Sequence, residues 1–232
     1  MLTIDLSRLA LRPGMVVLDL GCGEGRHAAG VLQEGAGFVV GADMEQGALQ
    51  AARQRLADLG LSAAGWVCCD GRRVPLRSAT FDRVICAEML EHVVDHHLVL
   101  QELDRVLLPG GLLAVTVPSY WPEKICSWLS RGYRQQPGGH VKIFRRHALR
   151  QEIEALGLRY LGGHRAHALH TPYWWLQCLF WERRQRSRLV QWYHNFLVWD
   201  MFKKPPWTRW PEQWANPVLG KSLVLYFQKP AP

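Results

Sequence analysis

The sequence predicts an α/β fold with a mostly parallel sheet and helices on both of its faces. Three observations support this prediction. Strand-like apolar runs alternate with helix-like segments through residues 1–120, a glycine-rich turn separates the first strand from the first helix, and Pro109-Gly110-Gly111 precedes a fifth strand. Such alternation is typical of βαβ crossovers, and the ligands of these sheets bind at the carboxyl ends of the strands.

The predicted elements follow one another in a regular order. Helices are predicted at 26–34, 48–59, 88–107 and 146–157, mainly where apolar residues recur at helical spacing. Residues 120–139 are predicted to form an aromatic, basic loop or a short helix. Strands are predicted at 16–20, 38–42, 65–69, 83–86 and 112–117, then from 158 onward, and finally at 221–228.

The composition indicates a folded domain in a reducing compartment. The chain has 232 residues, of which 48% are hydrophobic, and this length fits one large domain or one domain with an insertion. There is no uncharged apolar run long enough to predict a membrane span, and no signal peptide is expected at the N-terminus. The six cysteines lack paired metal-ligand spacing, so reduced thiols in a cytoplasmic protein are expected.

Charge and tryptophan are distributed unevenly along the chain. Residues 1–120 carry a net charge of −4, whereas residues 121–232 carry +12 and hold ten of the eleven tryptophans. The first half therefore has the composition of an ordinary acidic catalytic core. The second half suits an anionic membrane surface, a lipid or a nucleic acid.

A glycine-rich turn after the first strand predicts a ligand site. Asp19 precedes Gly21, Gly23 and Gly25 in the pattern Asp-x-Gly-x-Gly-x-Gly. Glycines allow a tight turn and a close approach of the backbone to a ligand. Arg26 stands where a dinucleotide-binding fingerprint has its third glycine, and the Lys-Ser/Thr pair of a phosphate-binding loop is absent. The pattern therefore favours neither of those ligand classes.

Two carboxylates follow the second and third predicted strands. Asp43 lies 20 residues after Gly23, where a carboxylate can accept hydrogen bonds from both ribose hydroxyls of a nucleoside. The alternative role of Asp43 is that of a helix N-cap. The Asp70 carboxylate can accept a hydrogen bond from the amine of an adenine, while the N–H of Gly71 can donate one to a ring nitrogen. The alternative role of Asp70 and Gly71 is that of a turn-forming Asp-Gly pair.

The order of these motifs resembles that of class I S-adenosylmethionine-dependent methyltransferases. The glycine turn, Asp43, the Asp70 segment and the loop at 108–112 carry the resemblance, which covers about 8–165 and 221–229. The chain is similar to the bacterial type 11 group, which includes quinone and lipid methyltransferases. The resemblance implies a Rossmann-like, seven-stranded, mostly parallel sheet. It also implies a methyltransferase domain at 1–169 and 221–232, with a helical insertion at 170–220 before the last strand.

The resemblance further implies a cofactor, S-adenosylmethionine, and a reaction, the transfer of its methyl group to a nucleophile. Such a displacement depends mainly on positioning the two reactants. The residues expected to bind or line the cofactor site are Asp19, Gly21, Cys22, Gly23, Asp43, Met44, Asp70, Gly71, Ala87 and Glu88.

A cluster of ionisable residues follows the fourth predicted strand. Glu88, Glu91 and His92 have the spacing i, i+3 and i+4, which places them on one face of a helix start, and His140 is a fourth candidate. This set is similar to that of metal-using ubiquinone-biosynthesis O-methyltransferases and small-RNA 2′-O-methyltransferases, which implies Mg²⁺ or another divalent cation.

The metal is one of three alternatives for this cluster. The second is that His92, His140 and Glu91 are catalytic without a metal, with a histidine as the base. The third is that the histidines are structural. His164, His167 and His170, which recur at every third position, are further candidates for the substrate pocket, and the alternative is that they are interface or loop residues.

The segment 170–220 combines tryptophans with arginines. An apolar stretch at 173–181 is followed by Arg183, Arg184, Arg186 and Arg188, and then by apolar and aromatic residues at 189–202. This pattern favours an interfacial helix on an anionic bilayer. The alternatives are a helical cap or oligomer interface, with solvated arginines, and RNA binding by stacking and phosphate contacts.

These observations predict an O-methyltransferase of a hydrophobic or lipid-linked small molecule, such as a quinone precursor, an isoprenoid or a glycolipid. The segment 170–220 would form its lid and dock on the membrane. The expected location is the cytoplasm, with attachment to the inner face of the membrane as a variant. An RNA 2′-O-methyltransferase and a non-catalytic cofactor-binding scaffold are the alternatives.

Overall fold

A computed structural model describes residues 2–136, 138–203 and 205–231. Its strands are β1 Val16–Leu20, β2 Phe38–Asp43, β3 Ala64–Cys68, β4 Phe81–Ala87, β5 Leu107–Pro118, β6 Arg159–Ala166 and β7 Ser222–Gln228. Its α-helices are α1 Arg26–Gln33, α2 Gln46–Asp58, α3 His96–Val106, α4 Tyr120–Leu129, α5 Arg131–Arg134, α6 Arg146–Glu154, α7 His170–Leu179, α8 Arg188–Lys203 and α9 Pro206–Leu219.

The seven strands form one sheet in the order β3-β2-β1-β4-β5-β7-β6. The first five strands pair in parallel, and β7 lies antiparallel between β5 and β6. The predicted seven-stranded, mostly parallel sheet is therefore confirmed. Because the carboxyl ends of β1 to β5 meet at one edge, the loops after these strands lie together there.

Both faces of the sheet are covered by apolar side chains. Along β1, Val17 packs into the layer on one face, whereas Leu18 and Leu20 pack into the layer on the other. Successive residues of a strand point to opposite faces, so a strand that is buried on both faces needs a nearly continuous apolar run. This is why the strands could be located in the sequence by their apolar runs alone.

The helix predicted at 88–107 is wrong for residues 88–95. Glu88 has a φ of +52°, Leu90–His92 forms a single 3₁₀ turn, and the α-helix α3 begins only at His96. The backbone N–H of Glu88 donates to the carbonyl of Thr116 at 3.0 Å, and this bond holds the chain against β5 instead of releasing it into a helix. Glu88, Glu91 and His92 therefore do not share a helix face.

The predicted break at Pro109-Gly110-Gly111 lies inside β5 rather than before it. Helix α3 ends at Val106 and β5 begins at the next residue, with a shift of register opposite Phe81. The N–H of Gly110 donates to the carbonyl of Lys229 at 2.9 Å, so the irregular segment at 109–111 is hydrogen-bonded to the residue that follows β7.

Helices α7, α8 and α9 occupy the segment between β6 and β7. No helix in the described part of the chain combines the length and the apolarity needed to cross a bilayer. The register of the antiparallel pairs places Ala166 and Pro118 on either side of Ser222. Residues just after β6 and just before β7 therefore join the carboxyl edge of the parallel strands.

Candidate active site

The glycine-rich turn begins the site at the end of β1. Gly21 has a φ of +73°, and a Cβ atom placed on it would lie 2.8 Å from the Sδ atom of Met89. A Cβ atom on Gly71 would clash with the Cε atom of the same methionine. The Met89 side chain therefore lies between the two turns that were predicted to hold the cofactor, and no sequence motif had singled it out.

Asp19 supports this turn from inside the sheet. Its side chain is fully buried, and one of its oxygens accepts the N–H of Ala28 in α1 at 3.0 Å. Its other oxygen has no hydrogen-bond partner among the described residues. Burial raises the pKa of Asp19 to about 7. The carboxyl group thus fixes the position of α1 behind the turn.

Asp43 joins the glycine turn to the end of β2. One oxygen of its carboxylate accepts the N–H of Gly23 at 2.8 Å and the other accepts the N–H of Glu45 at 3.0 Å. The N-cap position of α2 is Glu45 rather than Asp43, so the alternative role as a helix cap is excluded. The Asp43 carboxylate keeps further lone pairs for a ligand at the open edge.

Asp70 is already paired within the chain. Its carboxylate accepts from the guanidinium of Arg72 at 2.6 Å and from the backbone N–H of the same residue at 2.9 Å. These hydrogen bonds lower the pKa of Asp70. The pairing with Arg72 was not anticipated from the sequence. The carboxylate stays ionised and nearly half exposed, and it can still accept a further donor.

The remaining residues of the predicted cofactor site differ in their exposure. Cys22 is buried, and burial raises the pKa of its thiol. Met44 is 71% exposed, and Ala87 is the last residue of β4. Every predicted cofactor residue therefore lies on, or just beyond, the carboxyl ends of β1 to β4.

Three of the four residues of the predicted metal or base cluster come together. Glu91, His92 and His140 each offer a ligand atom within 4.8 Å of the others, and the two imidazole rings lie 5.0 Å apart. Glu88 is not part of this group, and its Oε1 accepts the hydroxyl of Thr116 at 2.9 Å. The long loop before α6 brings His140 to the cluster, because the carbonyl of Glu91 accepts the N–H of Val141 at 2.8 Å.

Glu91 is buried, and the nearest ion-pair group among the described residues is His92, whose Nε2 atom lies 3.9 Å from one of its oxygens. Both of its carboxylate oxygens lack hydrogen bonds among the residues that the structure describes. Burial, with a further contribution from the charge of Glu88, raises the pKa of Glu91 well above its usual range. A buried carboxylate with two orphaned oxygens and two imidazoles is a suitable donor set for a divalent cation of borderline character. These three residues therefore fit the implied metal.

His140 is oriented by a carboxylate that the sequence did not reveal. Its Nδ1 atom lies 2.7 Å from Oε1 of Glu123, a residue of α4 that is 1% exposed. Tyr133 donates its hydroxyl to the same oxygen at 2.8 Å, and Lys221 donates to Oε2 at 3.3 Å. With Nδ1 donating to Glu123, the Nε2 atom of His140 is free to accept a proton.

The charge of Glu123 is well stabilised. Burial alone would raise its pKa, but the hydrogen bond from His140 and the ammonium group of Lys221 outweigh burial and lower the pKa to about 2. Glu123 and Lys221 are 98 residues apart in the sequence and lie in no motif, so only the folded chain reveals that they belong to the site.

A cavity of about 630 Å³ opens beside this cluster. It runs from the carboxyl edge of β4 to the helices between β6 and β7. Of the three histidines predicted for the substrate pocket, His167 and His170 line it, whereas His164 does not and stacks on the ring of Tyr226 in β7. The residues that line it include Glu88, Glu91, His92, Tyr133, His140, His167, His170, Trp174, Met201 and Lys221.

His167 and His170 also approach a carboxylate of α9. Ligand atoms of His167, His170 and Glu212 lie within 4.8 Å of one another. The Oε2 atom of Glu212, however, accepts from the guanidinium of Arg209 at 2.7 Å. Because Glu212 already has a cationic partner, this group is less suited to a metal than the one around Glu91.

Comparison with known proteins finds relatives of part of this chain. The profile of the type 11 methyltransferase domain family matches residues 18–115. The chain is 39% identical over 112 residues to the ubiquinone/menaquinone biosynthesis C-methyltransferase UbiE of Bordetella parapertussis, covering 47% of this chain and 43% of that protein. It is 30% identical over 155 residues to a ubiquinone biosynthesis O-methyltransferase of Rhizobium etli, covering 62% and 60% respectively.

The folded chain is also similar to solved structures. The [4+2]-cyclase SpnF superposes with a TM-score of 0.66 at 21% identity, over 98% of this chain and 78% of that one. This likeness concerns the fold alone. The matches span about two fifths of the length of the first curated relatives. The family predicted from the motifs is confirmed for the matched segment, because residues 18–115 match the type 11 methyltransferase domain family.

Proposed function

We propose that this chain transfers the methyl group of S-adenosylmethionine to a hydroxyl group of a hydrophobic small molecule. The observation that supports this proposal most strongly is the pair formed by Glu123 and His140. The pair is oriented, charge-stabilised and directed at a cavity that lies beside the predicted cofactor edge. A hydroxyl acceptor needs such a base, because it must lose its proton when the new bond forms.

The residues at the edge of β1 to β3 fit the cofactor. The backbone of the glycine turn and the carboxylates of Asp43 and Asp70 would hold its polar groups. When bound, S-adenosylmethionine supplies a methyl group on a positively charged sulfur. The acidic groups at this edge suit such a cation electrostatically.

His140 is the proposed general base. Its Nε2 atom takes the proton of the acceptor hydroxyl, while Nδ1 keeps its hydrogen bond to Glu123. The ionised Glu123 carboxylate stabilises the imidazolium that forms, and Tyr133 and Lys221 hold that carboxylate in place. A positioned base of this kind contributes about 10²- to 10⁴-fold in rate.

A divalent cation is the second way in which this cluster could activate a hydroxyl. Glu91, His92 and His140 would hold it, and it would lower the pKa of a bound hydroxyl. The unpaired oxygens of Glu91 favour the metal-assisted mechanism, whereas the hydrogen bond between His140 and Glu123 would orient His140 either as a metal ligand or as a general base. The dependence of the rate on added metal distinguishes the metal-assisted mechanism from general-base catalysis.

The acceptor is proposed to carry an apolar part beside its hydroxyl group. Trp174 and Met201 give apolar surface to a cavity whose other lining residues are mostly polar or charged, and apolar contacts combined with convergent polar groups are typical of small-molecule sites. The names of the relatives favour a quinone precursor among the candidate acceptors. An isoprenoid or glycolipid acceptor has no comparable support, and the RNA and scaffold alternatives are not favoured.

Methyl transfer from radiolabelled S-adenosylmethionine to a short-chain prenylated catechol tests the proposal. We expect wild-type activity, and a loss of about 10²- to 10⁴-fold in kcat for His140→Gln. His147→Gln is the matched control, because His147 is an exposed histidine of α6 outside the cavity. Full activity of His140→Gln would contradict the assigned base. Activity that is abolished by a chelator and restored by Mg²⁺ would select the metal-assisted form.

A further inference from the structure

Helix α9 turns its polar face towards the protein and its apolar face towards the solvent. Its inward face is polar and includes Thr208, Glu212 and Asn216, of which the first two are buried. Its outward face is apolar, with Trp207, Trp210, Pro211, Trp214, Pro217 and Val218, and the three tryptophans are 63–78% exposed. Helices of soluble proteins normally present the opposite arrangement.

Polar contacts hold α9 in this orientation. The side-chain oxygen of Asn216 accepts the N–H of Ala168 at 2.9 Å, and Arg165 donates to the carbonyl of Pro217 at 2.6 Å. The hydroxyl of Thr171 donates to the carbonyl of Leu219 at 2.6 Å. Rolling the helix to bury its tryptophans would break these hydrogen bonds, so the tryptophans face outward for a structural reason.

The exposed aromatic surface continues from α9 onto α8. Ring centroids are 6.4 Å apart between Trp192 and Phe196, 6.1 Å between Phe196 and Trp199, and 5.4 Å between Trp199 and Trp207. We call this surface the tryptophan face, and it consists of Trp192, Phe196, Trp199, Trp207, Trp210 and Trp214. An exposed apolar patch of this kind marks an interaction site.

Basic residues border the tryptophan face. Arg183 and Arg186 are exposed just before α8, and Arg188 and Lys203 are exposed at the first and last positions of that helix. None of these four has an ion-pair partner among the described residues. The segment 170–220 contains seven Lys or Arg against three Asp or Glu. An anionic surface therefore complements this border, whereas the basic chain would repel a second copy of itself.

We propose that the tryptophan face docks on an anionic lipid bilayer, with α8 and α9 lying in the plane of the interface. Tryptophan is enriched at the level of the lipid headgroups, and arginine and lysine contact their phosphates. No described helix can span a bilayer, which agrees with an interfacial position. The inference rests on this surface and does not require the proposed reaction.

Sedimentation with lipid vesicles tests the proposal. We expect the full chain to bind phosphatidylcholine vesicles that contain about one third phosphatidylglycerol, and to bind pure phosphatidylcholine far less. Trp210→Gln/Trp214→Gln should reduce the affinity by about tenfold or more, because it removes two interfacial anchors. Arg186→Gln/Arg188→Gln should reduce it by about fivefold per arginine, and added salt should reduce it further.

Trp128→Gln is the matched control, since Trp128 is 83% exposed but lies on α4, outside the tryptophan face. It should bind vesicles like the wild type. All variants should retain their thermal unfolding midpoint and bind S-adenosylhomocysteine like the wild type, which separates failure of docking from failure of the proposed function. Three results would each overturn the proposal: no vesicle binding, equal binding to neutral and anionic vesicles, or an equal loss in Trp128→Gln. A dimer or an RNA complex that the double tryptophan variant disrupts, without vesicle binding, would likewise overturn it.

Discussion

Helices α3 and α9 are both amphipathic, but they face opposite ways. Helix α3 buries Val99, Leu100, Leu103 and Val106 against the sheet. Helix α9 buries Thr208 and Glu212 and leaves its tryptophans exposed. Apolar burial orients the first helix, whereas side-chain hydrogen bonds orient the second. The comparison shows that an amphipathic pattern predicts a helix without predicting which of its faces is buried.

The largest expected contrast is in the stability of the two helices. Leu103→Ala removes a fully buried side chain of α3 and should lower the free energy of unfolding by about 2–5 kcal/mol. Trp214→Ala removes a larger but 78% exposed side chain of α9, and the change should stay within about 0.5 kcal/mol. Urea denaturation of both variants measures this contrast. A large loss in Trp214→Ala would show that the tryptophan is packed in solution.

A smaller effect is expected where polar contacts hold α9. Asn216→Ala leaves the N–H of Ala168 without its partner and should cost about 1–3 kcal/mol. The same variant should also weaken vesicle binding, because α9 can then roll. Comparing amide hydrogen exchange at Ala168 with exchange in α3 shows whether the loss of stability is confined to the contact between Asn216 and Ala168. Unchanged protection of Ala168 would contradict the role of Asn216.

The parallel sheet and the helices between β6 and β7 should also respond oppositely to pH, through Asp19 in β1 and His170 in α7. Burial, aided by nearby positive charges, lowers the pKa of His170 from 6.5 to about 4, so its contribution to stability is lost as the pH falls from 6.5 towards 4. Burial raises the pKa of Asp19 from 3.8 to about 7, so its contribution is lost as the pH rises from 3.8 towards 7.

Variants of these two residues should shift the pH profile in opposite directions. His170→Gln should reduce the loss of stability that accompanies a falling pH. Asp19→Asn should remove the loss of stability that accompanies a pH rising towards 7. Each group changes the slope by at most about 1.4 kcal/mol per pH unit. The slopes of stability against pH are measured by thermal unfolding between roughly pH 4.5 and 7, where both residues are expected to change their contribution to stability. Shifts of the same sign in both variants would contradict the burial assigned to one of them.

Much of the sheet could be predicted from the sequence, and so could the positions of Asp43 and Asp70 at or just after the ends of its second and third strands. A strand covered on both faces is apolar at almost every position, so its location and its end are visible locally. The helix predicted at 88–107 failed because the hydrogen bond between Glu88 and Thr116 joins residues 28 apart, and no local pattern reveals it.

The remainder of the site depends on contacts between distant segments. His140 was expected beside Glu91 and His92, and the structure brings these three residues together. Glu123 could not be found, because an acidic residue in the first turn of a helix is ordinary in sequence. Its role becomes evident only when Lys221 and His140 converge on it. The orientation of α9 could not be predicted either, because it depends on hydrogen bonds to residues that are distant in the sequence.

The central claim is that the carboxyl edge of β1 to β4 binds the methyl donor, and calorimetric titration with S-adenosylhomocysteine tests it most directly. The wild type should bind the ligand. Asp43→Asn should bind it about 10- to 100-fold more weakly, because a charged hydrogen-bond acceptor is lost. Trp210→Gln/Trp214→Gln should bind like the wild type. Absence of binding by the wild type, or wild-type affinity in Asp43→Asn, would contradict the account.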